Sequence, residues 1–427
     1  MGRPIGIALL GMGVVGTGFV EVMITNKENL IKQVGSELIL RHVLVKDRSK
    51  TRTFDLPSHL FCESIDEILT DDSVDLVIEL MGGEHPAFNY ITRSLEHHKN
   101  VVTANKEVMA KHNSYIISLA NQNNVRILYE ASVAGGTPII APLLRDFTAN
   151  KITSIKAIIN GTTNYILSRM ASENSDYLEI LADAQKLGYA EADPTNDVEG
   201  IDAAYKLAIL SSLSYRTEVR DIDVYREGIT NISPKDFKYA EELGFAIKLM
   251  ALSELNNNII SARVHPVLIP KTEMLANVNG VLNAVQVETD LIGNVLFHGA
   301  GAGAYPTASA VLADTIDICR DINREVILPN HIVSSEKYEM KPITSITCKY
   351  YLRIDAKDQP GVLAQIAKIL AENLISIASF IQKDSEKGSA ELIIMTHEAL
   401  ELSVQCALKK IEELPVVNSV QNSIRVI

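Results

Sequence analysis

The stretch Ile5-Gly6-Ile7-Ala8-Leu9-Leu10-Gly11-Met12-Gly13-Val14-Val15-Gly16 decides how this chain is read. Its first six residues form an uncharged apolar run bounded by glycine, the pattern of a strand buried on both faces of a parallel sheet. Helical spacing follows from Val14 to about Ile31. Gly11, Gly13 and Gly16 therefore sit in a strand-to-helix turn, where absent side chains permit a tight bend and close backbone approach. The free amides at the helix start suit a pyrophosphate. A glycine-rich turn alone is weak evidence. With a strand before it and a helix after it, the pattern points to a dinucleotide site.

Outward from that turn, apolar runs recur at Leu38–Lys46, Val74–Met81, Asn100–Thr103 and Val125–Glu130, each separated from the next by a helical stretch. Strands alternating with helices predict an α/β, doubly wound Rossmann-type dinucleotide-binding domain over residues 1–135. Residues 136–330 mix strand-like runs (Ile152–Asn160, Ile259–Ile269, Ala284–Thr289) with helices at Asp176–Leu187 and Ile201–Leu213, as in an α+β substrate domain. A polar linker is expected over 331–347. In the last segment, 348–427, Cys348, Tyr350, Leu352 and Ile354 alternate with polar neighbours, predicting a half-buried strand. The turn Asp358-Gln359-Pro360-Gly361, a helix from Val362, strands Ile375–Gln382 and Ala390–Thr396, a helix Glu398–Glu413 and a strand near Ser419–Val426 give the order βαββαβ, a ferredoxin-like module.

Composition narrows the function. With 427 residues, 47% hydrophobic and 22% charged, the chain is an ordinary globular protein with room for several domains. A net charge of −13, 5% aromatics and no tryptophan argue against a nucleic-acid partner. Cys62, Cys319, Cys348 and Cys406 lie far apart without a CxxC pair, as reduced cytosolic thiols do. The uncharged stretch Ile5–Val20 superficially resembles a signal peptide, but its five glycines and lack of a cleavage site exclude that, and it is too short to span a membrane. A cytoplasmic protein is expected.

Several motifs carry chemistry. Asp47, at the end of the second strand, sits between Lys46 and Arg48, so a ribose 2′-hydroxyl and a 2′-phosphate are both accommodated. The basic residues Arg41, Lys50 and Arg52 lean the reading toward NADP, against the alternative of a solvated charged loop. Lys106 follows a predicted strand and so faces the ligand crevice, although a surface lysine fits its position equally well. Five carboxylates crowd the twelve residues Glu191–Asp202, and Lys206 follows Asp202 by four, on one helix face. A solvated i,i+4 salt bridge is the plain alternative. Apolar Ala203, Ala204, Leu207 and Ala208 argue instead that the helix is buried, where such a pair is costly and a lysine can serve as acid or base. Glu130–Pro138 and Asn160–Asn164 are glycine- and hydroxyl-rich turns able to bind ions or carboxylates, or to be no more than turns. His97, His98 and His298 are given no role.

The succession GMGVVG, VIELMGG, VVTANKE, EASVAGGTPII, INGTTNYIL, GYAEADPTNDVEGIDAAYKLAIL and GAGAYPTASAV closely resembles the homoserine dehydrogenase family, in its monofunctional form without a fused aspartate kinase domain. YYLRIDAKDQPGVLAQIAKIL resembles an ACT domain, an amino-acid-sensing module. Together the resemblances span nearly the whole chain. They imply a reversible, NAD(P)-dependent interconversion of L-aspartate 4-semialdehyde and L-homoserine, serving threonine, methionine and isoleucine synthesis. By resemblance, Lys206 is the proton carrier; Glu191 and Asp202 hold the substrate, with Asp197 close by; and Lys106 lies between cofactor and substrate. Gly11, Gly13, Val14, Val15 and Gly16 line the dinucleotide, with Gly303 near its nicotinamide end and Lys46 and Arg48 at the ribose. The family commonly carries arginine where Lys46 stands. Glu130 with the backbone oxygens of Val133, Gly135 and Thr137 is expected to bind a monovalent cation, sodium. Asp358, Gln359, Gly361 and Gln382 are expected to line an amino-acid effector site, for threonine, between paired modules, which requires a homodimer or homotetramer. A purely structural oligomerisation module is the alternative.

Two rival functions are weighed. A phosphorylating semialdehyde dehydrogenase needs a crevice cysteine, and none of the four lies in a glycine-rich crevice motif. A regulatory protein that binds NADP without turnover is opposed by the joint presence of Lys106, Glu191, Asp202 and Lys206.

Overall fold

The computed structural model describes residues 2–48, 54–330, 338–384 and 388–427. Lys50, Arg52 and residues 331–337 of the expected linker lie outside the described residues. The chain divides into two compact units, Met1–Ile155 with Tyr205–Asp223 and Asn283–Tyr338, and Lys156–Ala204 with Val224–Leu282 and Glu339–Ile427.

The first unit holds a six-stranded sheet in the order Phe61–Cys62, Leu38–Leu44, Ile5–Leu10, Leu76–Glu79, Asn100–Thr103, Ile127–Leu128. Every neighbouring pair is parallel. Ile5–Leu10 is central and buried at all six positions, which is why its sequence shows no alternation. Chain order reverses between it and Leu76–Glu79, and such a switch point opens a crevice at the carboxyl ends of the strands. The helix expected from Val14 to about Ile31 is two helices, Val14–Thr25 and Lys27–Val34, separated at Asn26. A 21-residue helix, Ala304–Arg324, far away in sequence, packs on Val14–Thr25. A Cβ on Gly18 would lie only 3.1 Å from the Ala304 carbonyl oxygen, so glycine allows the close approach. Ala308, Val311, Leu312, Ile318 and Cys319 of the long helix share one core with Ile5, Ile7, Leu9, Phe19 and Val20.

In the second unit, Phe245–Asn256 and Ile259–Pro270 form a long antiparallel hairpin. Asn257 and Asn258 turn it with positive φ (48° and 64°), as a two-residue hairpin loop requires. Ile259–Pro270 pairs in parallel with the final strand, Val417–Val426, so the hairpin and the C-terminal module share a sheet. That module runs Thr347–Lys357, Val362–Glu372, Ile377–Asp384, Ser389–Thr396, Glu401–Glu412, Val417–Val426, the expected βαββαβ order. Its four strands are antiparallel in the order last, first, third, second.

Thr347–Lys357 is buried more fully than its alternation suggests: Tyr350 through Ile354 are all buried. Tyr350, Leu352 and Ile354 enter the module's own core. Arg353 on the opposite face donates to Asp236 at 2.7 Å, and Tyr351 donates to the same carboxylate at 3.2 Å. Polar-looking positions are thus covered by the helix Pro234–Glu242.

Candidate active site

In the first unit a cavity of about 280 Å³ opens at the carboxyl ends of the central strands, lined among others by Val15, Glu79, Lys106, Gly135, Lys206 and Thr307. Four residues picked out from sequence, Val15, Lys106, Gly135 and Lys206, therefore meet here. No cysteine lines the cavity.

The turn beside it sorts its glycines by contact. Gly11 takes φ +93°, and a Cβ there would lie 2.9 Å from the Leu80 carbonyl oxygen. On Gly16 a Cβ would lie 2.2 Å from the Gly11 oxygen. Both glycines are demanded by the fold. At Gly13 nothing stands within 4 Å of an added Cβ, and Val14, the first helical residue, is 74% exposed. The open Gly13 and the bare helix start together fit a pyrophosphate. Gly303 caps the start of Ala304–Arg324, next to Gly301 and Ala302 of the cavity wall. After the strand Leu38–Leu44, Lys46, Asp47 and Arg48 are exposed. The Arg48 guanidinium lies 3.9 Å from Glu63 and 3.8 Å from Glu67.

Lys106 opens the helix Lys106–Gln122, which Asn105 caps by accepting the Val108 N–H at 3.1 Å. Asn105 is itself held, its N–H donating to Thr103 Oγ1 at 3.0 Å and its side-chain amide to the Gly83 carbonyl at 2.7 Å. Thr103 in turn donates to the fully buried Glu79, whose carboxyl burial pushes above its ordinary pKa. Glu79, Asn105 and Thr307 were given no role by sequence. The unusual acid inside the apolar run VIELMGG was the one available signal.

Glu130 is buried, its Oε1 accepting from Ile139 N–H (2.7 Å) and Ile140 N–H (3.0 Å), and its Oε2 from Ala141 N–H (2.6 Å). Its own N–H donates to Asp314 at 2.8 Å. Burial, reinforced by the Glu130 charge, pushes the Asp314 carboxyl well above its usual range. Val133, Gly135 and Thr137 lie in the same turn, where Gly136 N–H and Thr137 Oγ1 both donate to the Ala300 carbonyl. Both Glu130 oxygens thus face backbone N–H donors of residues 139–141, while its carboxylate and the backbone oxygens of the turn are the hard oxygen donors that a cation of this class takes. Among the described residues no cluster of three or more His, Cys, Asp or Glu could hold a metal ion.

In the second unit the carboxylates separate. Asp197 and Asp202 are drawn together by Asn160, whose side-chain amide donates to the first at 2.6 Å and to the second at 2.9 Å. Glu191 is exposed, and its carbonyl accepts from Gln185 at 3.0 Å. Asp202 is buried in the first turn of the helix Ile201–Tyr215, and Lys206, also buried, follows one turn later on the same helix. In the C-terminal module, Asp358, Gln359, Gly361 and Gln382 line a common cavity of about 360 Å³, with Gln382 donating to Asp358 at 3.3 Å.

A glycine turn at the switch point of a parallel sheet, beside a cavity into which two lysines reach, is the arrangement of a Rossmann-type nicotinamide-dependent oxidoreductase. Family models specify which: homoserine dehydrogenase NAD binding domain over residues 11–130, homoserine dehydrogenase over 138–316, and ACT domain over 350–416. The chain belongs to the homoserine dehydrogenase family. It is 42% identical to the homoserine dehydrogenase of Neisseria gonorrhoeae, across 99% of this chain and 98% of that one. The crystal structure of a homoserine dehydrogenase from Thiobacillus denitrificans superposes with a TM-score of 0.92 at 39% identity, covering 100% of this chain and 99% of that one. A hyperthermophilic archaeal homoserine dehydrogenase in complex with NADPH matches 74% of this chain and 97% of its own, with a TM-score of 0.62 and 26% identity. Among the described residues no helix is long and apolar enough to cross a membrane.

Proposed function

We propose that this chain interconverts L-homoserine and L-aspartate 4-semialdehyde with NAD(P), in the cytoplasm, as a step toward threonine, methionine and isoleucine. The observation that carries the reading is the convergence of Lys106 and Lys206 on the cavity beside the Gly11–Gly16 turn. A bound nicotinamide supplies the hydride chemistry. The protein supplies the proton: reduction of an aldehyde leaves an alkoxide, and a positioned ammonium neutralises it. Lys206 takes that role, and acts as base in the reverse direction. Lys106 orients the reacting groups. Glu191, Asp197 and Asp202 hold the substrate ammonium.

For the cofactor, Gly11, Gly13, Val14, Val15, Gly16 and Gly303 accommodate the dinucleotide. The exposed cations Lys46 and Arg48 favour the 2′-phosphate of NADP, although Arg48 shares its charge with Glu63 and Glu67. Sodium is the proposed occupant of the Glu130, Val133, Gly135 and Thr137 turn, where the Glu130 carboxylate would supply the charge and the three backbone oxygens the remaining ligands. Threonine is the proposed effector at Asp358, Gln359, Gly361 and Gln382, in a homodimer or homotetramer built through paired modules. The functional division is 1–135 for the dinucleotide, 136–330 for catalysis and dimerisation, 331–347 as linker and 348–427 for regulation.

The test is homoserine-dependent NADP reduction by the wild type and by Lys206→Ala, with the fold of each checked by circular dichroism. Activity in the first and a loss of at least about a hundredfold in the second is the expected result. An inactive wild type with either nicotinamide refutes the reading. Equal activities remove Lys206 from its role.

A further inference from the structure

We infer that Asn160 is a positioning residue that holds Asp197 and Asp202 together as one substrate-ammonium receptor. The inference rests on the reading of those two carboxylates given above. Asn160 is buried and N-caps the helix Gly161–Glu173. Capping uses only Oδ1, which accepts the Thr163 N–H and the Thr163 hydroxyl, each at 2.8 Å. The backbone N–H on one side and the two carboxylates on the other fix the orientation of the amide, because a flipped side chain would set its NH2 against a donor and its oxygen against acceptors.

The other end of the amide is surplus to capping. Nδ2 sends its two hydrogens to Asp197 Oδ1 at 2.6 Å and Asp202 Oδ2 at 2.9 Å. Left alone, two neighbouring carboxylates repel, and one is driven to take up a proton. A neutral double donor bridges the two carboxylates without adding a charge of its own, leaving the pair suited to a cationic ligand. A lysine in its place would lose the cap acceptor and would itself be an ammonium competing with that of the substrate. An aspartate would add a third negative group. A serine or threonine would be too short to span both. Asparagine alone combines the cap acceptor with two donors at this reach. The anchor is firm as well, since a Cβ on the following Gly161 would lie 2.9 Å from the Val281 carbonyl oxygen, so the turn is closely packed.

Asn160→Asp separates positioning from capping, because aspartate caps a helix as well as asparagine does. The full-length enzyme is assayed for homoserine oxidation with NADP from pH 6 to pH 9, after thermal melts of wild type and variant. The expected result is a homoserine KM raised roughly tenfold to a hundredfold, as befits loss of hydrogen bonds to charged groups, with an unchanged NADP KM. The defect should shrink toward low pH, where the introduced carboxyl takes up a proton and can donate again. Should Asn160→Asp not fold, Asn160→Ser, which also caps but cannot bridge both acids, carries the same comparison. A wild-type homoserine KM in a folded variant overturns the inference, as does a defect shared equally by NADP. A wild type without homoserine-dependent turnover would instead remove the reading on which the inference rests.

Discussion

Thr103 Oγ1 donates to Glu79 Oε2 at 2.5 Å, tying together the carboxyl ends of two adjacent parallel strands beside the candidate active site. Glu79 Oε1 accepts the Met81 N–H at 2.7 Å, so one buried carboxylate also fixes the following loop. The Asn105 N–H donates to the same Thr103 oxygen, and Asn105 caps the helix that Lys106 opens. Thr103→Val keeps the shape and strand propensity but leaves the buried acid short of a donor. It should cost about 1–3 kcal/mol of stability in urea unfolding and lower kcat, while Thr103→Ser restores both. A Thr103→Val enzyme of wild-type stability and kcat would show that the strand ends need no such tie.

The Gly11–Gly16 turn predicts opposite behaviour for two alanine substitutions. Gly13→Ala adds a methyl group into open space, so the apoprotein should melt like the wild type. That space is where a pyrophosphate would approach, and the NADP KM should rise. Gly16→Ala sets a Cβ 2.2 Å from the Gly11 oxygen and should destabilise the apoprotein itself, by about 1–3 kcal/mol of overpacking. Paired thermal melts and cofactor titrations check the contrast, and a Gly13→Ala enzyme with unaltered NADP KM would exclude that approach.

Much of this was legible beforehand because burial leaves a signature along the chain. The run Ile5–Leu10 is apolar at consecutive positions since both faces of its strand are covered, and βαββαβ can be read from turns and periodicity alone. What the chain conceals is contact between distant segments. Nothing near Ala304–Arg324 announces that it completes the core around Ile5–Leu10. Likewise Tyr351 and Arg353 read as an exposed face, because the Pro234–Glu242 helix that buries them lies more than a hundred residues away. Asn160 belonged to a recognised turn, yet its bond to Asp202 spans 42 positions, and no local pattern encodes that.

Lys248 offers a pH-dependent check on the second unit. It is 3% exposed and donates to the Val278 carbonyl at 2.6 Å and to Asn279 Oδ1 at 2.9 Å. Burial pushes its ammonium down to about 8. An unfolded lysine titrates near 10.5, so between pH 8 and 10.5 the unfolded chain binds the extra proton, and stability contributed through this group rises with pH. Wild type should therefore gain up to about 3 kcal/mol relative to Lys248→Met across that interval, at about 1.4 kcal/mol per unit. The carbonyls left without a donor in the variant add a pH-independent offset and leave the slope intact. Parallel stability curves would show that Lys248 titrates normally in the fold.

Arg425 joins the C-terminal module to the segment that precedes the hairpin. It is buried, donates to Glu401 from Nε and Nη2 at 2.7 Å each, and grips Glu227 at 2.8 and 2.9 Å. Two residues beyond Glu227, the Ile229 N–H donates to the Val198 carbonyl at 2.9 Å, next to Asp197. Arg425→Met would strand Glu401, only 3% exposed, as a buried unpaired charge, a change that costs about 3–5 kcal/mol. Glu227→Gln should cost far less, because that side chain is 35% exposed and water can solvate what remains. Replacing Arg425 and Glu401 together by methionine removes both buried charges and should recover most of the loss, since a buried ion pair is worth little against an apolar pair of similar volume. Urea unfolding of the single and double variants decides this: a double variant as unstable as the sum of its singles would mean that the methionines cannot fill the site, and that Arg425 and Glu401 are held by packing rather than by their charges.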